Sequence, residues 1–182
     1  MLVRCYHGFG DTLQFIRFVP QLAAIARSVI VEAQAELLSL LRSIPGAAAL
    51  YPLGGELPEW DVAIESMELA HALRLRLSEL PGRVPYLVRP PGSRSPLRLP
   101  ASRAGHMRVG LVWAAGDWRS ERSLPPALLL PLARLPLDLV GLQRGPAWHQ
   151  AEAAGLVGAL RWAQGEEATI AETAALIGKL DL

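Results

Sequence analysis

The chain has 182 residues, 51% of them apolar and 19% charged, with 18 basic against 17 acidic side chains and one cysteine. A net charge of +1 excludes binding to polyanions by bulk electrostatics, so no nucleic-acid partner is expected, and a lone Cys5 excludes a disulfide-stapled secreted scaffold. The mean hydropathy of +0.25 comes from short apolar blocks broken by Arg, Pro and Gly, none near the roughly 20 residues of a membrane span. Residues 1–7 lack the pattern of a signal peptide, and a cytoplasmic, non-transmembrane protein is expected.

In chain order, Leu2-Val3-Arg4-Cys5-Tyr6 is a short apolar run that reads as a buried strand. A Gly-rich turn over residues 7–12 follows. Residues 13–23 then carry Leu13, Phe15, Ile16, Phe18, Val19, Leu22 and Ala23 at the spacing of a helix with one apolar face. Residues 28–33 are β-branched and read as a second strand, and residues 35–44 as a helix stopped by Pro45-Gly46. Candidate third and fourth strands lie at 47–51 and 61–64, and residues 84–88 suit a last edge strand. This alternation predicts a parallel sheet with crossover helices over residues 1–88.

Residues 89–107, rich in Pro, Gly, Ser and Arg, read as a linker. The alternation restarts with a strand at 108–113, a polar loop at 114–123 and a Leu-rich helix from about 125 to 135, with Ser123 resembling its N-cap. Another strand at 137–142, the turn Gln143-Arg144-Gly145-Pro146 and a helix at 169–179 complete a second, partial unit over 108–182. Leu180-Asp181-Leu182 looks like the opening of a further buried strand. With about two secure strands, this unit would leave apolar sheet surface for a partner to cover.

The sharpest motif is Gly8-Phe9-Gly10-Asp11. Glycines let the backbone approach a ligand closely, and N–H groups at a helix start attract an anion. Asp11 and Thr12 stand where a cap is expected; Asp11 reads either as that cap or as a carboxylate poised to take a proton from a hydroxyl, and the two roles are compatible. Leu13 stands where G-x-G-x-x-G needs its third glycine, which disfavours a dinucleotide-dependent oxidoreductase. Arg119, Arg122, Ser120 and Ser123 in the 114–123 loop, with Arg144 after the next strand, are candidates for holding a diphosphate; solvated loops are the alternative. Cys5 reads as core, and the four histidines show no metal spacing, so no metal is expected. Glu65 and Glu68 lie near the end of the fourth strand, where they could reach an inter-domain cleft; a solvated helix start is the favoured reading.

The run His7-Gly8-Phe9-Gly10-Asp11-Thr12-Leu13-Gln14-Phe15-Ile16-Arg17-Phe18-Val19-Pro20 resembles the opening of heptosyltransferase-like (family nine) glycosyltransferases, above all the bacterial versions linked to tetratricopeptide repeats. Val109-Gly110-Leu111-Val112-Trp113, Arg122-Ser123-Leu124-Pro125, Gly141-Leu142-Gln143-Arg144-Gly145-Pro146 and Glu172-Thr173-Ala174-Ala175-Leu176-Ile177 resemble later stretches in the same order. The resemblance implies an α/β GT-B-like architecture: an acceptor-type Rossmann-like domain and a partial nucleotide-sugar domain. It implies metal-independent, inverting transfer of a sugar from a nucleotide-sugar donor to a hydroxyl on a carbohydrate or protein acceptor. Asp11 would be the base, with Gly8, Gly10, Thr12, Arg119, Arg122, Ser123 and Arg144 as binding residues and no cofactor. Two departures stand out. His7 replaces the usual Gln, and the family's Asp-Thr-Ala/Gly-x-x-His segment would fall after Leu182. Weak or absent activity is therefore expected of this stretch. The alternative is a non-catalytic module that binds a partner or forms a homodimer through the unfinished sheet.

Overall fold

A computed structural model describes residues 1–82, 84–88, 99–115, 121–163 and 168–182. The chain divides into two compact units, Met1–Ser93 and Arg94–Leu182. Each is a mixed α/β unit built on a parallel sheet.

In the first unit, β1 (Leu2–Cys5) leads into α1 (Phe9–Phe15), a 3₁₀ turn at Ile16–Phe18 and α2 (Val19–Ala23). The helical path therefore begins inside the Gly-rich turn, four residues earlier than the apolar spacing suggests. The 3₁₀ turn has a covalent cause: Pro20 has no amide to close an α-type bond, and the Val19 amide takes the Ile16 carbonyl instead. Next come β2 (Ile30–Ala33), a 3₁₀ turn at Ala35–Leu37, α3 (Leu38–Leu41), β3 (Ala49–Pro52), β4 (Ala63–Glu65), a 3₁₀ turn at Ser66–Glu68 and α4 (Leu69–Ala72). At the end of the α3 connection, Gly46 has φ +87°, and a Cβ there would stand 2.5 Å from the Ala23 Cβ, so only glycine fits this return to the sheet.

All pairings are parallel, in the order β3-β2-β1-β4, which is compatible with a Rossmann-like fold. The two faces of this sheet differ. One carries Val3, Cys5, Val31 and Ala33, all buried, and interacts with α1 and the 66–68 turn through contacts of Cys5 with Thr12 and Ser66. Burial pushes the Cys5 thiol up to about 11, so it stays protonated and serves as core. The other face presents the cross-strand row Glu32, Arg4 and Glu65. The β3–β4 connection, residues 53–62, contains no helix. Its Gly54 amide donates to Glu32 Oε1 at 3.0 Å, and Arg4 Nε donates to Glu32 Oε2 at 2.7 Å. Burial raises the Glu32 pKa, but these hydrogen bonds outweigh it and hold the carboxyl below its ordinary value. A buried carboxylate is thus tolerated because it is paired on both oxygens.

Residues 84–88 do not form the expected edge strand. Pro81 and Pro85 lack amides for a ladder, and the polar groups that remain turn to the helices. Tyr86 Oη donates to the Leu13 carbonyl at 2.7 Å, the Val88 amide donates to Ser43 Oγ at 2.9 Å, and the Arg17 guanidinium lies 4.2 Å over the Tyr86 ring.

The second unit contains β5 (Met107–Leu111), a 3₁₀ helix at Pro126–Arg134, β6 (Leu137–Gly141), α5 (Ala147–Ala153), α6 (Leu156–Ala159), β7 (Trp162–Ala163) and α7 (Ile170–Ile177). The Leu-rich segment is 3₁₀ rather than α because Pro126 and Pro131 deprive it of amide donors. β5, β6 and β7 pair in parallel in that order. The third strand, β7, is too short to show any periodicity in the sequence. Beyond β5, the Leu182 amide donates to the Arg108 carbonyl and the Gly110 amide to the Leu182 carbonyl at 2.8 Å. This is the bonding pattern of a parallel neighbour, as the sequence suggests for residues 180–182. Leu139 and Val140 on β6 are buried. One cluster joins Trp113, Ala151 and Leu156 with Leu129 and Leu130; a second joins Val140, Leu142 and Leu176 with Leu99 and Trp162. Helical elements thus contribute to two separate clusters around this sheet.

Residues 99–106, read from the sequence as the end of a linker, are pinned to β6. Asp138, 2% exposed, accepts from Ser102 Oγ at 3.0 Å and from the Arg103 amide and Nε at 2.9 and 2.6 Å. The Arg103 amide contributes most to holding the Asp138 carboxyl at about 2; burial opposes it, and the Arg103 and Ser102 side chains add to it. α7 opens with a capping box: Thr169 Oγ1 accepts from the Glu172 amide, and the Glu172 carboxylate accepts from the Thr169 amide. Among the described residues, no helix is long and apolar enough to cross a membrane.

Candidate functional site

The strand order sets the site. β2 and β3 lie on one side of β1 and β4 on the other, so the carboxyl ends of β1 and β4 flank a topological switch point, the place where open α/β sheets bind ligands. The turn after β1 and the last residue of β4 meet there. Tyr6 Oη donates to Glu65 Oε2 at 2.8 Å, and His7 Nε2 is bonded to Glu65 Oε1. The Tyr6 and His7 rings lie with centroids 4.8 Å apart. The Tyr6 hydroxyl is the largest influence holding the Glu65 carboxyl below its ordinary value; partial burial opposes it and His7 reinforces it. The same hydrogen bond raises the Tyr6 pKa, so Tyr6 remains a phenol donor.

A second chain of hydrogen bonds fixes the turn from the β2 side. Thr12, fully buried on α1, donates from Oγ1 to Gln34 Oε1 at 2.9 Å, and Gln34 Nε2 donates to the His7 carbonyl. Gln34 directly follows β2, so the carboxyl ends of three adjacent strands hold one histidine. Neither Gln34 nor Glu65 stood among the site residues proposed from sequence. Both needed the strand order to bring them to His7.

Of the residues expected at this end, Gly8 is the N-cap of α1, and Asp11 is its third helical residue rather than the cap. Asp11 Oδ2 accepts from the Gly8 amide at 3.2 Å. The charge at this helix start is therefore supplied by the chain's own carboxylate. A Cβ at Gly8 would lie 3.2 Å from that oxygen, whereas the space beside Gly10 is open. Thr12 faces inward as a structural donor, not outward toward a ligand.

In the second unit the corresponding strand ends are tied to one another. Gln143 Oε1 accepts from the Trp113 and Ala114 amides at 3.0 and 2.9 Å, and its Nε2 donates to the Arg144 carbonyl at 2.9 Å. Ser123 is not an N-cap; the 3₁₀ helix starts after Pro125, and Ser123 Oγ accepts from the Ala115 amide at 3.0 Å. Arg122 is exposed. Arg144 is half-buried, with its Nε enclosed and without a hydrogen-bond partner among the described residues. Arg119 and Ser120 lie outside the described residues.

Fold and site together define an α/β protein with two parallel-sheet units and a polar cluster at the switch point of the first. No protein-family model matches the chain, and no curated protein or solved structure does so either.

Proposed function

We propose that the chain is a glycosyltransferase-like protein of GT-B type, in which the first unit receives a hydroxyl acceptor and the second binds a nucleotide sugar. The observation that carries this reading is the switch point of the first sheet: an imidazole, two carboxylates and a phenol gather beside the β1 turn, where a hydroxyl can be deprotonated. Arg144 Nε, just beyond the carboxyl end of β6 and without a hydrogen-bond partner among the described residues, supports a diphosphate in the second unit. The glycosyltransferases that the chain resembles usually carry Lys at this place; Arg144 binds phosphate through a planar fork rather than a point charge. The chemistry is displacement at the anomeric carbon, with leaving-group charge stabilised by arginine; the resemblance gives the base's role to Asp11.

Thermal unfolding with UDP, GDP and ADP, each free and as a sugar conjugate, tests the donor site. A ligand held only by the native state at about 100 times its Kd adds roughly 2.7 kcal/mol. One nucleotide is expected to raise the midpoint, and Arg144→Ala to abolish the shift. No shift with any nucleotide sinks the reading.

A further inference from the structure

The sugar-transfer reading needs a proton acceptor beside the acceptor hydroxyl, and the inference that follows rests on that reading. Two groups at the β1 turn carry lone pairs suited to the task. Asp11 spends Oδ2 on the Gly8 amide, where it closes the first turn of α1. His7 is placed differently. Its backbone is held by Gln34, its ring lies beside Tyr6, and its Nε2 is bonded to Glu65. The His7 side chain is 39% exposed and that of Glu65 27%, so the ring is reachable while its partner is partly sheltered.

We propose that His7 is the base of the transfer reaction and that Glu65, aided by Tyr6, is the residue that positions it. An ionised Glu65 can only accept, so the bond from Nε2 requires the imidazole proton to sit on that nitrogen. The lone pair is then on Nδ1, which has no hydrogen-bond partner among the described residues. In the reaction, the acceptor O–H bond breaks and its proton passes to Nδ1. The acceptor oxygen forms a bond to the anomeric carbon. The bond from that carbon to the diphosphate oxygen breaks, and its electron pair leaves with the diphosphate. The resulting imidazolium faces the Glu65 carboxylate and returns its proton to water after product release. A carboxylate that fixes a tautomer and stabilises the imidazolium is a recurrent arrangement in general-base catalysis. Glu65 belongs to a different strand from His7, so the pair exists only because β4 lies beside β1.

Two measurements on the whole chain test this. Nitrogen-15 NMR is expected to show a slowly exchanging proton coupled to His7 Nε2, present in the wild type and lost in Glu65→Leu. Transfer assays with the nucleotide sugar found by thermal shift are expected to show His7→Gln lowering kcat by about 100-fold or more, the usual weight of a general base, with KM changed less than about twofold. Glu65→Gln is expected to lower kcat about tenfold, and Asp11→Asn to lower it less than His7→Gln does. His71→Gln, on the exposed side of α4, is the control. Wild-type protein that binds no nucleotide in the thermal test and transfers no sugar overturns the sugar-transfer reading and this base assignment with it; nucleotide binding without any transfer overturns the base assignment alone. Wild-type transfer that survives His7→Gln at full rate, a greater loss in Asp11→Asn than in His7→Gln, or absence of the coupled proton overturns the base assignment alone.

Discussion

The two units follow the same plan, and they differ in what that plan leaves free. In each, the first strand lies beside the second on one flank, while β4 in one unit and residues 180–182 in the other bond to the opposite flank. Each second strand carries a buried acid, Glu32 or Asp138, and each is followed within two residues by a glutamine that ties down the loop after the first strand. In the second unit that glutamine is buried and takes the Trp113 and Ala114 amides. In the first, Gln34 holds the His7 carbonyl and the Thr12 hydroxyl, and the His7 side chain remains reachable. One strand-end frame can therefore spend its glutamine on backbone amides or leave side chains reachable beside it. The deciding factor is whether backbone amides or side chains fill the switch point.

The largest expected effect lies at a buried acid. Asp138→Ala leaves the Arg103 amide and Nε without their buried acceptor, and it is expected to lower the unfolding midpoint by roughly 10 °C, the largest effect in this series. The pH dependence has a definite sign. The Asp138 carboxyl moves from an ordinary 3.8 to about 2 in the fold. Its contribution is complete above about pH 4 and is lost as pH falls toward 2, because the unfolded chain binds the proton first. Asp138→Ala is expected to flatten that part of a stability-versus-pH curve; an unchanged curve would show that the acid is not paired as described.

The two glutamines sharpen the same contrast. Gln143→Ala strands the Trp113 and Ala114 amides and is expected to cost about 2 kcal/mol in denaturant unfolding. Thr169→Ala removes the α7 cap and is expected to cost about 1 kcal/mol. Gln34→Ala is expected to cost about 1 kcal/mol, since the His7 carbonyl it releases lies near solvent and only the buried Thr12 hydroxyl loses its acceptor. If Gln34→Ala proved as costly as Gln143→Ala, Gln34 would be a structural tie of the same weight as Gln143.

The apolar runs around β1, β2, β5 and β6 mark their strands because burial on a parallel sheet demands continuous apolar sequence. Thr169 and Glu172 announce the start of α7, because capping is chemistry between neighbours. Local signals misled where backbone donors were missing: at residues 84–88 and at Pro126–Arg134, prolines removed the amides that a strand or an α-helix needs. β7 was hidden by its length, and its partner β6 alone defines it.

By itself, the sequence determined the alternating α/β plan, the glycine turn and the presence of His7, Asp11 and Glu65. It did not determine that His7 and Glu65 touch. That depended on which flank of β1 the fourth strand joins, and the ten-residue connection over 53–62 carries no helix periodicity to indicate it. Only the tertiary structure chose the flank, because strand order is decided by pairing and burial across the whole sheet rather than by any local run of residues.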